Sequence, residues 1–257
     1  MPEELEEESV WSVQDQIASY LRERILDGDI APDGRLPSSR QLFAQFGSAA
    51  QTIKNAMSIL EKEGLVYTKR GSGVYARQHR QRTMTPAEYK NPPADGGKYQ
   101  WIAAAERKGL SGRSELLDVE EVEPPTLVRD AFGLDDGDKV ILRRQVMYLA
   151  ERDREEPCEL VEVYFPLDLA QGTPIAERRR IKGGAGRILL EAGLPPLRCV
   201  DKVAARWPTP RQAKALKMPT KLPVLRQFRV TYSVDDRPIQ AEFMIKAGHL
   251  YELEYDF

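Results

Sequence analysis

Gln51, Thr52, Lys54, Asn55 and Ser58 fall within two turns of one another and share one outward face if their stretch is helical. Amides and hydroxyls of that kind match the donor and acceptor pattern of base edges in a major groove, and a lysine there meets a base or a phosphate. A second group lies downstream. From Lys69 to Arg82 the chain carries Lys69, Arg70, Arg77, Arg80 and Arg82 with no Asp or Glu between them. Such a run neutralises a phosphate backbone, for which local charge matters more than the formal net charge of −2 left by 38 basic and 40 acidic residues. A solvated helix face and a basic loop carry the same residue types, so the elements that position them must decide.

Chemistry of other kinds has little to work with. The two histidines, His79 and His249, have no nucleophile at motif spacing, and the two cysteines, Cys158 and Cys199, show no metal-ligand spacing. There is no phosphate loop, dinucleotide fingerprint or zinc pattern. We therefore expect no catalytic residue, no metal and no cofactor. No run approaches the roughly 20 apolar residues of a membrane span. The opening MPEELEEE has neither the basic nor the apolar region of a signal peptide, so a cytoplasmic location is expected.

The positioning elements follow from periodicity and punctuation. Val13, Ile17, Tyr20, Leu21, Ile25 and Leu26 form one apolar helical stripe ending near Gly28. Ser38 with Gln41 is a capping-box pattern that opens a short helix through Phe46, with Leu42, Phe43 and Phe46 inward and Gly47 as its stop. Ser48 with Gln51 repeats the pattern and starts a third helix with Ile53, Met57 and Leu60 inward, ended by Gly64. Two short helices joined by so tight a turn cross steeply, which is helix–turn–helix geometry. The β-prone runs 65–69 and 74–76 flank Arg70-Gly71-Ser72-Gly73 and make a glycine-tipped wing. Lys69, Arg70 and Ser38 are then placed for phosphates, and Gln51, Lys54 and Asn55 for bases.

The domain reading is an acidic tail over 1–9, a winged helix–turn–helix over 10–78, a proline- and glycine-rich linker over 79–98 and a second domain over 99–257. In the second domain, the runs 139–148 and 157–165 read as one hairpin about a charged turn at 151–156. The runs 225–234 and 239–247 read as another, with short helices at 187–192 and 209–216. The fold class is mixed α/β (α+β), with an N-terminal winged helix–turn–helix and a C-terminal domain built on an antiparallel sheet.

The segments LPSSR, LEKEGLV and RGSGVYA, within a stretch from about Val10 to Arg77, resemble the DNA-binding domain of GntR-type bacterial transcription regulators. The stretches DAFGLDDGDKVILRRQV, PCELVEVYFP, the helix before GLPP, PTPRQAKALKMP and VLRQFRVTYSVDDRPIQAEF resemble, in order, the UTRA effector-sensing domain of the HutC branch, whose fold is shared with chorismate lyase. The resemblance implies a homodimer on an inverted-repeat operator of double-stranded DNA, associated with the nucleoid when bound. It places Arg40, Thr52, Lys54 and Gly71 on DNA-contact positions. It also implies an effector site with Arg144 on a position that grips an anionic ligand. Val146 replaces the usual second arginine and Gln240 the usual glutamate, and the glycine loop through Gly186 offers backbone N–H groups. The reading is a repressor modulated by a small molecule. A ligand-blind repressor, for example of a mobile element, and a lyase-like enzyme with a vestigial DNA-binding head are the alternatives.

One departure has a consequence for the operator. Where relatives carry an arginine near the start of the recognition helix, this chain has Ala50 after Ala49. Arginine is the side chain that grips guanine bidentately, whereas Gln51 and Asn55 suit adenine. Selection of bound sites from random DNA is expected to return a weakened guanine requirement at the inner half-site. An undiminished one contradicts the assignment.

Overall fold

The computed structural model describes residues 9–77, 82–86, 99–151, 154–218 and 222–256. The acidic residues of the expected tail, His79, Arg80, most of the expected linker and the tip of the first hairpin of the second domain lie outside the described residues. The chain divides into two compact units, Met1–Arg82 and Thr83–Phe257.

In the first unit, Ser12 caps α1 (Val13–Leu26) by accepting from the Asp15 amide, and Ile17, Leu21 and Ile25 bury its inner stripe. Val13, at the start of that stripe, is exposed. The capping box at Ser38 closes as the sequence predicts. Its hydroxyl accepts from the Gln41 amide at 3.3 Å while Gln41 accepts from the Ser38 amide at 2.8 Å, opening α2 (Ser39–Phe46). Gly47, with φ 64° and no Cβ to clash in the left-handed region, reverses the chain. After it comes α3 (Ala50–Lys62), then the antiparallel pair β1 (Val66–Lys69) and β2 (Gly73–Ala76), with Arg35 bridging to Tyr75 beside it. Ile17, Leu21, Leu42, Ile53, Leu60 and Val66 meet in one core. The guanidinium of Arg22 clasps Glu63 at 2.6 and 2.8 Å, tying the end of α3 to α1.

At three positions the first unit departs from the pattern expected of its sequence. Ser48 does not cap α3. The N-cap is Ala49, without a side-chain bond, and the Ser48 hydroxyl is turned back by the Gly47 reversal to donate to the Phe46 carbonyl. Phe43 is 56% exposed, because Leu42 and Phe46 already fill the inner side of an eight-residue helix. Met57 is only half-buried, and Ala56 takes the close-packed place against the core.

The second unit is a six-stranded antiparallel sheet in the order β4-β5-β6-β9-β8-β7. Its strands are β4 (Ser111–Val122), β5 (Val140–Glu151), β6 (Arg154–Pro166), β7 (Arg198–Arg206), β8 (Val224–Tyr232) and β9 (Pro238–Ala247). The two expected hairpins, β5–β6 and β8–β9, are joined through β6 and β9. One face carries Met147, Val161, Phe165 and Met244 against Trp101 of α4 (Gln100–Arg107) and Leu189 of α7 (Ala185–Glu191), an element that follows the one-turn α6 (Leu167–Ala170). The other carries Leu142, Leu160, Phe228 and Ile245, with Val128 of α5 (Thr126–Phe132) and Leu216 just past α8 (Pro210–Ala215). Thr209 opens α8 with a complete capping box.

The stretch expected to be a featureless linker contains a strand. β3 (Arg82–Met84) pairs with β10 (Tyr251–Leu253), and Met84 is buried in the core of the second unit. Three residues with one apolar side chain give no local strand signal; the partner near the C-terminus supplies the order.

Candidate nucleic-acid interface and ligand cavity

In the first unit, Arg40, Gln51, Lys54, Lys69 and Arg70 are exposed, and Thr52 is half-buried beside them. The first turns of α2 and α3 hold no acidic residue, so their amide ends and these cations present one positive sign. Gly71 sits exposed at the tip of the wing with φ 74°. Ser38 is exposed, but its hydroxyl is engaged in the capping box.

Asn55 is less free than a helix-face reading assumes. Its amide nitrogen donates to Gln14 of α1 at 2.9 Å, and its carbonyl oxygen accepts from the Gln51 amide at 2.9 Å. The three amides form a ladder that leaves the Gln51 oxygen outward. Gln14, absent from the sequence reading, is therefore a positioning residue, and only the crossing of α1 over α3 brings it there.

The second unit contains a partly open cavity of about 600 Å³, the size of a small-molecule site. Gly186 and Gln240 line it, as do Arg143, Arg229, Arg180 and Lys182, with Ser114, Gln145 and Thr231 as neutral hydrogen-bonding groups. The ring of Tyr99 packs against the glycine loop. A Cβ at Gly184 would lie a tight 3.1 Å from that ring, and the backbone there has φ 83°, so both favour glycine.

Arg144 does not belong to this cavity. It faces the opposite side of the sheet, bonded to Glu120 at 2.6 Å and Glu162 at 3.3 Å with Asp118 nearby, while Val146 is buried in the apolar core of that side. Successive side chains of a strand point to opposite faces, so the cavity receives Arg143 and Gln145 instead. Arg143 is itself committed. It donates to the carbonyls of Ile175, Glu177 and Arg179 at 2.6, 2.9 and 2.7 Å and pins the loop that leads into the cavity wall. Burial without a carboxylate partner lowers its pKa.

Arg229 closes a bidentate pair with Asp201, both bonds at 2.7 Å. Asp201 also accepts from Gln227 and Tyr255, and these donors hold its carboxyl below the usual range although burial pushes it up. Glu242, 8% exposed on the cavity wall, has no such donors. Burial raises it to about 7, with Glu159 and Asp201 adding to the rise and Arg229 and Lys246 opposing it.

Glu242 sets a pH dependence. The unfolded carboxyl titrates near 4.5 and the folded one near 7, so the fold keeps a proton that the unfolded chain releases. Its contribution is therefore lost as pH rises from 4.5 to 7 and is constant above, by an amount on the order of 3 kcal/mol. Urea unfolding of the wild type and Glu242→Gln at pH 5 and pH 8 is expected to show the fall only in the wild type, after the common background is subtracted. Parallel curves contradict it.

Residues 13–76 match the family described as bacterial regulatory proteins, gntR family, and residues 107–252 match the UTRA domain. The chain is 26% identical over 249 residues to the HTH-type transcriptional regulator SCO4628 of Streptomyces coelicolor, covering 94% of this chain and 91% of that one. It is 22% identical over 226 residues to the mannosyl-D-glycerate transport/metabolism system repressor MngR of Escherichia coli, covering 86% of each. The crystal structure of PhnF from Mycobacterium smegmatis superposes with a TM-score of 0.58 at 20% identity, over 94% of this chain and 98% of that one, which shows a shared fold.

Proposed function

The chain belongs to the GntR-type transcription regulators that carry a UTRA domain, and from that premise we propose a homodimeric repressor whose operator affinity is set by a small molecule in the cavity of the second unit. The observation that carries the reading is the pairing of two surfaces in one chain. One is a face of amides and cations on the first turns of α3 and the wing; the other is a cavity lined by apolar, charged and neutral polar groups in a separate unit. The cavity reads as a binding site rather than a catalytic one, since both of its buried arginines already hold protein partners. Among the described residues no helix is long and apolar enough to cross a membrane. The cytoplasm is the proposed location.

In this reading Lys54 and Gln51 meet base edges, with Asn55 holding Gln51 in place. Arg40, Lys69, Arg70 and Thr52 meet the backbone or groove edge, the Gly71 tip lets the wing approach, and Ser38 sets the start of α2. The linkage between ligand and operator is a population shift, which works only through unequal affinity for the two states. Fluorescence anisotropy with a selected operator tests the assignment. Lys54→Ala is expected to weaken binding by roughly 1–3 kcal/mol, while Arg180→Ala leaves it unchanged. Equal losses contradict the reading.

The dimer has a surface to form on. β7 is one of the two edge strands of the sheet, and the stretch from Leu197 to Trp207 around it exposes Leu197, Val200, Val203 and Trp207, the last 73% exposed. An uncovered apolar edge of that kind invites a second copy, which also supplies the two-fold axis an inverted repeat requires. Sedimentation of the Val203→Asp, Trp207→Asp double variant is expected at the mass of one chain, with the wild type at two. A dimer that survives both charges places the interface elsewhere.

A further inference from the structure

The floor of the cavity contains one row across the sheet. In register, Arg143 on β5 stands opposite Val163 on β6, Val163 opposite Glu242 on β9, Glu242 opposite Arg229 on β8, and Arg229 opposite Asp201 on β7. Three of the four charged members have partners. Arg143 is capped by backbone carbonyls, and Arg229 and Asp201 hold each other. Glu242 is the remaining one: its carboxyl is more than nine-tenths buried, lines the cavity, and forms no hydrogen bond or ion pair among the described residues.

The charged groups around it do not supply the missing partner. Arg229 from β8 is bound to Asp201 from β7, and Lys246 on its own strand is bound to Glu159 from β6. These two pairs each sum to zero and leave Glu242 without a bonded counter-charge; the other cations of the lining are engaged or set apart from it, Arg143 across Val163 on the carbonyls of the 175–179 loop and Arg180 and Lys182 on the loop wall. A ligand hydroxyl gives one donor and leaves the charge in place. An ammonium neutralises it and brings three donors. Thr231 and Gln240, paired across β8 and β9 two residues along the same face, also line the cavity and offer a hydroxyl and an amide to the rest of such a molecule.

On the footing of the ligand-gated reading above, we propose that the cavity takes a small molecule carrying a protonated amine, with the ammonium seated on the Glu242 carboxylate beside Thr231 and Gln240. Docking requires the carboxylate form. Because burial holds the free carboxyl near 7, the ligand must displace a proton below that value. Affinity then rises as pH passes upward through 7 and falls again once the ligand's own amine loses its proton.

The test uses the full chain and two matched sets of probes at millimolar concentration: glucosamine, glucose and glucuronate, then ethanolamine, ethylene glycol and glycolate. Binding is read by calorimetry and by thermal unfolding at pH 6 and pH 8, without DNA, so the result is independent of the operator experiment. The amine of each set is expected to bind and to raise the unfolding temperature, more at pH 8 than at pH 6, with the neutral and acidic members silent. Glu242→Gln is expected to lose at least roughly tenfold in amine affinity. The wild-type pH comparison carries the test even if that variant folds poorly. Silence from both amines, equal or tighter binding of a carboxylate member, a response that does not grow with pH, or an amine preference retained in Glu242→Gln each overturns the proposal.

Discussion

The pair between Arg229 and Asp201 is the interaction on which the second unit's cavity rests. The same sheet face that carries Phe165 and Met244 into an apolar core also carries Arg229 onto the cavity lining, and buried charge is costly unless partnered. Asp201, half-buried on an edge strand, collects two guanidinium bonds, the Gln227 amide and the Tyr255 hydroxyl. Gln227 in turn accepts from Lys246, whose ammonium is paired with Glu159. One polar chain thus crosses β7, β8, β9 and β6. Removing a single member strands its mate at a cost of about 3–5 kcal/mol, so the chain behaves as a unit. It also fixes register, since a one-residue slip of β7 would carry Asp201 to the other face.

The DNA-binding head depends on a different economy. Its core is small, and most of α3's outward side is left polar, so what keeps that helix in place is the Ile53, Ala56 and Leu60 seam and the Arg22 clasp on Glu63. With alanines at positions 49 and 50, the proposed base contacts rest on the amide ladder, which Gln14 orders within the protein itself. A side chain whose rotamer is fixed beforehand loses less entropy on binding, and it also tolerates fewer alternative bases.

Legibility in the sequence tracked how local each cause is. The capping box of Ser38 and Gln41 and the reversal at Gly47 are decided within four residues, and the helices they bound were readable. The same pattern at Ser48 misled, because a residue just after a left-handed turn is aimed back at the preceding helix. β4 and β7 were missed: both are edge strands with charges on either side, so no clean alternation marks them. β3 depends wholly on a partner near the far end of the chain. At the cavity, the sequence reading took Arg144, whereas Arg143 is the one that faces inward; alternation gives parity, and the choice of face comes from packing of the whole sheet. Glu242 and Arg229 could not be brought together without the register of β8 and β9.

That register also bears on how a ligand in the cavity can matter elsewhere. The wall from Arg180 to Gly186 continues directly from the loop whose carbonyls cap Arg143. The loop is held by charge-assisted bonds from one buried cation to three carbonyls, with no carboxylate among the described residues bound to Arg143. By contrast, the floor is held by paired charges across four strands. A ligand touching both would tie the loop wall to the floor, and it shifts a population only where two arrangements hold it unequally. A molecule bound to the floor alone would be gripped equally in either state and would shift nothing.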